Sequence, residues 1–128
     1  MGELAETAVV TCFLRHQGEV LLLRRSDDVG SYAGRWGTIA GHAEGDPDAA
    51  ARREIQEETE LADAVTLVWR GRPFSVEDAE LETCWRVHPY LFDCSRRAAV
   101  LNWESTEAEW VMPTEMLRRD TVPELWTS

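Results

Sequence analysis

Residues 41–61, GHAEGDPDAAARREIQEETEL, decide the fold. Within them residues 47–60, PDAAARREIQEETE, predict a helix. Asp46 is placed to cap it, and Pro47 suits a first helical turn, where a missing N–H removes no internal bond. Ala49, Ala50, Ala51, Ile55 and Leu61 supply small and apolar packing positions, and most of the remainder is charged. A surface helix packed along a thin stripe is expected. Glu54 lies three residues before Glu57 and four before Glu58, so three carboxylates share one face. Like charges at this spacing repel, and a cation, solvent or concentrated salt has to offset them. Oxygen ligands of this kind suit Mg²⁺ or Mn²⁺, which retain waters and engage phosphate oxygens. An ordinary solvated face of an acidic protein accounts for the same run when spacing alone is considered.

The flanking sequence alternates strands with this one long helix. TAVVTCFLR, residues 7–15, reads as a strand, His16 to Glu19 as a hairpin turn, and VLLLRR, Val20 to Arg25, as the returning strand. Residues 26–46 carry five glycines and read as loop, with a short strand over Trp36 to Ala40. Beyond the helix, Val65 to Arg70 predicts a strand and 71–80 a turn or long excursion. Glu82 to Phe92 predicts a strand with Pro89 at an edge or bulge. Residues 93–107 read as polar connection, Glu109 to Met112 as a short strand, and Thr114 as the cap of a final helix from Glu115. This order favours an α+β or α/β/α sandwich over a helical bundle. No repeat or linker interrupts it, and the chain reads as one domain over 1–128. Two readings of the apolar ending Leu125-Trp126-Thr127-Ser128 stay open: a natural C-terminus, or the N-terminal part of a longer chain.

Composition narrows the function classes. Acidic residues number 24 against 13 basic ones, for a net charge of −11, and every basic residue is arginine. A broad nucleic-acid surface is excluded, because attraction to phosphate needs a basic face. A hydrophobic fraction of 44% argues against an acidic disordered tail. No apolar run approaches the roughly 18 residues of a spanning helix, so no membrane partner is expected. The lysine-free acidic surface is similar to that of cytoplasmic proteins from salt-loving archaea, where the Debye length falls to about 3 Å at 1 M salt. An arginine-biased genome is the alternative source. Cys12, Cys84 and Cys94 form no CxxC pair, which points away from structural zinc and disulfides, and a cytoplasmic location is expected.

The stretch Gly41 to Leu61, and above all REIQEETEL, resembles the signature of Nudix hydrolases. The VLLLRR strand, Gly34-Arg35-Trp36-Gly37 and Glu109-Trp110-Val111 are also similar to that family, so the resemblance spans roughly residues 7–120. It implies a Nudix-like α/β/α sandwich with a mixed β-sheet. It also implies divalent-metal-dependent hydrolysis of the pyrophosphate linkage in a nucleoside diphosphate derivative. By that resemblance Glu54, Glu57 and Glu58 bind Mg²⁺ or Mn²⁺, joined by the backbone of Ala40. A fourth acid comes from across the cleft, Glu104 first and Glu107 behind it. Arg53 holds the loop through Asp46 or Glu44, and Glu57 doubles as general base.

Three positions depart from the family pattern. Ala40-Gly41 stands where paired glycines are usual, the interval from Gly41 to Arg53 is two residues short, and Glu60 replaces a helix-ending glycine. Glutamate there either bears the cost of a left-handed conformation or lets the helix run on. These departures keep a second function open: a catalytically weak or inactive Nudix-like domain that binds a nucleotide or phosphosugar in a regulatory role, as a homodimer or with an attached C-terminal domain. For the ligand, Arg24, Arg25 and Arg35 are candidate phosphate contacts and Tyr32 a candidate stacking residue, although balancing of nearby acids accounts for such arginines almost as well. Trp36, Trp69, Trp85 and Trp110 are expected mainly in packing, while Trp103 and Trp126 are expected at a substrate or partner edge. His42 follows Gly41 and is expected near phosphate, and His16 is expected to be a plain turn residue.

Overall fold

The computed structural model describes residues 5–29, 32–79 and 81–121. Strand β1, Ala5–His16, turns through Gln17 and Gly18 into β2, Glu19–Arg25. Two short strands follow where one was expected, β3 at Trp36–Gly37 and β4 at Ile39–His42. Helix α1 covers Pro47–Thr59, and a 3-10 turn at Ala62–Ala64 leads into β5, Val65–Arg70. Then come β6, Phe74–Asp78, β7, Thr83–Cys94, and β8, Ser105–Val111. A 3-10 helix at Pro113–Arg118 ends the described chain, and Leu125 and Trp126 lie outside the described residues.

The eight strands form one mixed sheet. β1 runs parallel to β7 from Ala5↔Thr83 to Arg15↔Asp93, and the other pairings are antiparallel. β1 and β2 pair only at the hairpin, through Arg15↔Val20 and His16↔Glu19. Beyond that β1 takes β4 as its neighbour, while β2 pairs with β8 and β3. The divergence of β1 from β2 makes room for the site described below.

Strand alternation divides the side chains between two faces. On one face Val10, Cys12 and Leu14 of β1 meet Leu21 and Leu23 of β2, Tyr90 and Phe92 of β7, and Ala50, Ala51 and Ile55 of α1. Two alanines and one isoleucine of the helix therefore suffice, because the sheet supplies the bulk, and Ala49, expected to pack, is exposed instead. On the other face Val20 and Leu22 pack with Val111 and Met116, and Trp36 lies against them under the Arg119 guanidinium. The expected final helix is thus a 3-10 segment starting at Pro113. Met112 rather than Thr114 takes its N-cap position, with no side-chain cap. Among the described residues α1 is the one α-helix, and this 3-10 segment provides the second covering layer.

Four further expectations need correction. Pro89 sits in β7, which has neighbours on both sides rather than an open edge. Proline is accommodated because β5 ends at Arg70 and β6 begins at Phe74. The Gly71 N–H donates to the Pro89 carbonyl at 2.9 Å, and the absent proline N–H faces the same gap. β6 was hidden in the expected excursion, although Phe74 and Val76 alternate with polar neighbours. Trp69 is 48% exposed on β5, not in the core. His16 is more than a turn residue, since its Nδ1 lies 2.7 Å from the Cys94 carbonyl and its ring stands edge-on to Trp110.

The helix ends as a glycine would end it. Glu60 adopts φ 58° and ψ 30°, its N–H bonds the Gln56 carbonyl, and its own carbonyl accepts from Arg96 at 3.2 Å. A left-handed conformation costs a residue with a Cβ about 1–2 kcal/mol. Glu60→Gly is therefore expected to raise stability by about 0.5–1 kcal/mol once glycine's larger unfolded-state entropy is subtracted. Urea denaturation measures the difference, and an unchanged or lowered midpoint contradicts it.

Candidate metal and phosphate site

Helix α1 is set in place from its first turn. The Asp46 carboxylate accepts the Asp48 N–H at 3.2 Å, and the Asp48 carboxylate in turn is held by Arg70 of β5 and by the Tyr90 hydroxyl at 2.6 Å. With the apolar stripe on the sheet, Glu54 and Glu58 turn inward, only 8% and 4% exposed. Gly41 permits this approach: a Cβ there would overlap the Glu54 carboxyl group. Of the two positions Ala40 and Gly41, the one that must lack a side chain has kept its glycine. Gly41→Ala is expected to push Glu54 aside and weaken divalent-cation binding about 10–100-fold, the loss typical when a ligand's support is disturbed. Calorimetric titration reads this directly, and wild-type affinity in the variant would contradict it.

Glu104, just before β8, completes the set. Carboxylate oxygens of Glu54, Glu58 and Glu104 lie within 4.8 Å of one another. Glu104 is anchored by its N–H to the Asn102 side chain at 3.0 Å, and its carbonyl accepts the Ser26 N–H at 2.8 Å. Burial first, then the charges of Glu104 and Glu54, push the Glu58 carboxyl up to about 10, against a backbone hydrogen bond from Ala40. Glu54 is also raised, by burial and by Glu57 and Glu104. One oxygen of Glu58, Oε2, is buried and has no hydrogen-bond partner among the described residues. A buried carboxylate oxygen left unpaired is costly. Three converging carboxylates with such an orphan oxygen fit a hard divalent cation, which would supply the missing partner.

The cleft beside these glutamates holds about 730 Å³. Its floor is the face of β1 and β7 opposite the main core, carrying Val9, Thr11, Trp85 and Val87. Ala40, Arg25, Arg53, Glu57 and Tyr32 also border it. Arg25 sits where it senses Glu58, Glu104 and Tyr32, and its burial lowers its proton affinity against their pull.

Other expected site residues lie outside the group of three carboxylates, some at the border of the cleft and some away from it. Glu57 is outside the three-carboxylate group, with its side chain 51% exposed and 3.9 Å from the Arg53 guanidinium. Arg53 binds neither Asp46 nor Glu44. It donates to the His42 carbonyl at 3.1 Å and lies 3.5 Å from Glu54, tying β4 to the helix. Arg24 points away, to Glu107 at 3.0 Å and the Gly34 carbonyl at 3.1 Å, which removes Glu107 as well. Arg35 faces Asp120 at 3.9 Å. His42 does border the cleft. Trp85, expected in packing, is a cleft wall, and Trp103, 63% exposed, stands at the opening beside Glu104. The alternation of Thr83, Trp85 and Val87 was the available signal for that wall.

A model of the NUDIX domain matches residues 5–127. The MutT protein from Methanosarcina mazei Go1 is 26% identical, with a TM-score of 0.77 over 97% of this chain and 89% of that one. A Nudix hydrolase from M. Smegmatis, RenU, superposes with a TM-score of 0.75 at 22% identity, covering 96% and 81%. The NUDIX domain of Shewanella oneidensis NrtR, solved with ADP ribose, gives 0.76 at 16% identity, covering 96% and 83%. The last two demonstrate likeness of fold. No curated protein matches the chain by sequence.

Proposed function

The chain belongs to the NUDIX domain family, and from that premise we propose that it is a divalent-metal-dependent hydrolase of the pyrophosphate linkage in a nucleoside diphosphate derivative. The observation that carries this reading is the convergence of Glu54, Glu58 and Glu104 around a buried, unpartnered carboxylate oxygen at the edge of a cleft. Those three glutamates hold Mg²⁺ or Mn²⁺, together with the backbone at Ala40. When bound, the metal supplies Lewis-acid activation of a phosphoryl oxygen and an acidified water.

The chain's own groups do the rest. Arg25 meets the phosphates, giving a fixed fork of donors that matches phosphate oxygens. Arg53 clamps the β4 backbone against Glu54 and keeps that carboxylate directed at the cleft. Glu57, exposed on the cleft side, takes the proton of the attacking water. The water oxygen bonds to phosphorus, the bond from that phosphorus to the bridging oxygen breaks, and the departing phosphate keeps the oxygen and its electron pair. In this reading the ligand is a small nucleotide or phosphosugar, and the protein works in a cytoplasm of high salt, to which its acidic lysine-free surface is suited.

The test is titration of Mg²⁺ and Mn²⁺ against a panel of nucleoside diphosphate derivatives at low and at molar salt, following release of mononucleotide. Metal-dependent release, undiminished at molar salt, is expected. The departures from the family pattern at Ala40 and Glu60 keep one second reading, a binding domain with a regulatory role. Tight binding by folded protein without release at any metal concentration would select it.

A further inference from the structure

Two of the three converging glutamates share helix α1, but the third, Glu104, comes from the segment between β7 and β8. That segment is tied to the end of the helix. The Val100 N–H donates to the Thr59 carbonyl at 2.9 Å, and Arg96 donates to the Glu60 carbonyl at 3.2 Å and to the Asp63 carboxylate. From there the chain has to turn Glu104 back toward Glu54 and Glu58. Repulsion opposes this, because like charges favour a half-buried carboxylate swinging out into solvent.

Asn102 supplies both the turn and the restraint. Its Oδ1 accepts the Glu104 N–H at 3.0 Å, closing an Asx turn over Trp103. Trp103 is left at the exposed tip, while the Glu104 carbonyl accepts the Ser26 N–H at 2.8 Å on the inner side. The same amide reaches the carboxylate, since Asn102 Nδ2 donates to Glu104 Oε1 at 3.4 Å. The backbone bond fixes which way the amide faces. Its oxygen is committed to an N–H, so its NH₂ group is the end that meets the carboxylate. One side chain therefore holds Glu104 at its backbone and at its charge.

We propose that Asn102 is a positioning residue for the metal site: its amide N–H aims the Glu104 carboxylate at Glu54 and Glu58 while its oxygen holds the turn. The proposal rests on the metal-binding part of the hydrolase reading. Asn102 acts on the cation through Glu104, as the outer partners of metal ligands do. It also sets a ligand that α1 cannot carry, because Glu104 belongs to a different element.

Calorimetric titration of the full chain with Mn²⁺, alongside water-proton relaxation by the bound ion, tests this. Asn102→Ala is expected to weaken Mn²⁺ binding about tenfold, the lower end for loss of a ligand's support. Asn102→Ser keeps one oxygen for the Glu104 N–H but lacks the second arm of the amide. With one of two contacts retained, it is expected to weaken Mn²⁺ about threefold. Bound Mn²⁺ is expected to relax water protons more strongly in both variants, because water takes the place that the Glu104 oxygen gives up. Melting in chelator is expected to stay at the wild-type value for Asn102→Ser, which separates positioning from support of the fold. Wild-type Mn²⁺ affinity and relaxation in Asn102→Ser, or lowered melting of either variant with unchanged Mn²⁺ affinity, overturns the proposal and leaves the hydrolase reading intact. Failure of the wild-type protein to bind Mn²⁺ overturns the metal site itself, and the proposal with it.

Discussion

Glu58→Gln is expected to lower metal-dependent hydrolysis about 10²–10³-fold, as removal of a preorganised electrostatic group does elsewhere, and at the same time to make the metal-free protein more stable. The opposite signs follow from one feature. In the absence of a cation Glu58 is buried beside Glu54 and Glu104 with one oxygen unsatisfied. Glutamine keeps the shape, stays neutral without having to take up a proton on folding, and brings an N–H that Glu54 or Glu104 accepts. Relief of a buried unsatisfied group is of the order of about 1–3 kcal/mol. Activity falls because the neutral amide is a far poorer partner for a divalent cation. Thermal melting in chelator, with hydrolysis assays in Mn²⁺, reads both effects. A variant that loses activity and stability together would show instead that Glu58 supports the fold without cation strain.

A second large effect is expected in the dependence of stability on pH. The Glu58 carboxyl is pushed up to about 10 in the folded protein, from an ordinary value near 4.5. Between those values the folded state holds a proton that the unfolded chain releases. Stability from this group is therefore complete below about pH 4.5 and is lost as pH rises toward 10. Glu54, also raised, adds in the same direction. Asp48 and Asp63 are lowered by their arginine partners and act the opposite way, but their effect falls at acid pH, outside this range. The metal-free melting temperature is thus expected to decline steadily from pH 5 to pH 9. Saturating Mn²⁺ at pH 8 displaces the proton and restores about 2.7 kcal/mol at a hundredfold excess over the dissociation constant. Melting curves with and without chelator across this range check the prediction. A flat metal-free profile, or no shift with Mn²⁺, would contradict it.

How far the site could be read in advance depends on helix and strand geometry. A helix turns by 100° per residue, so Glu57 lies about 60° to one side of Glu54 and Glu58 about 40° to the other. All three share a broad face, as their spacing implies. Which of the outer two is buried depends on where the sheet sits, and Cys12 and Ala40 sit on the Glu58 side. The neighbouring arginines Arg24 and Arg25 behave likewise. Adjacent strand residues face opposite ways, and only the pairing of β2 with β8, Arg24 opposite Glu107, shows which one enters the cleft. Glu104 was legible as a candidate through its distance in sequence from Trp110, but its approach to Glu54 and Glu58 crosses more than 45 residues and exists only once the sheet is assembled.

The chain by itself determined the helix, its cap, the hairpin, and the ordered glutamates that resemble a phosphate-hydrolysing family. Each of these depends on neighbours within a few residues, where local sterics and side-chain spacing dominate. The tertiary structure decided that Glu58 rather than Glu57 groups with Glu54 and Glu104, that Arg25 rather than Arg24 borders the cleft, and that Trp85 lines that cleft rather than the core. Those outcomes depend on strand register and on the parallel pairing of β1 with β7, residues some 78 positions apart. Burial against distant strands, with its cost for unpaired charge, turns an acidic face into a site.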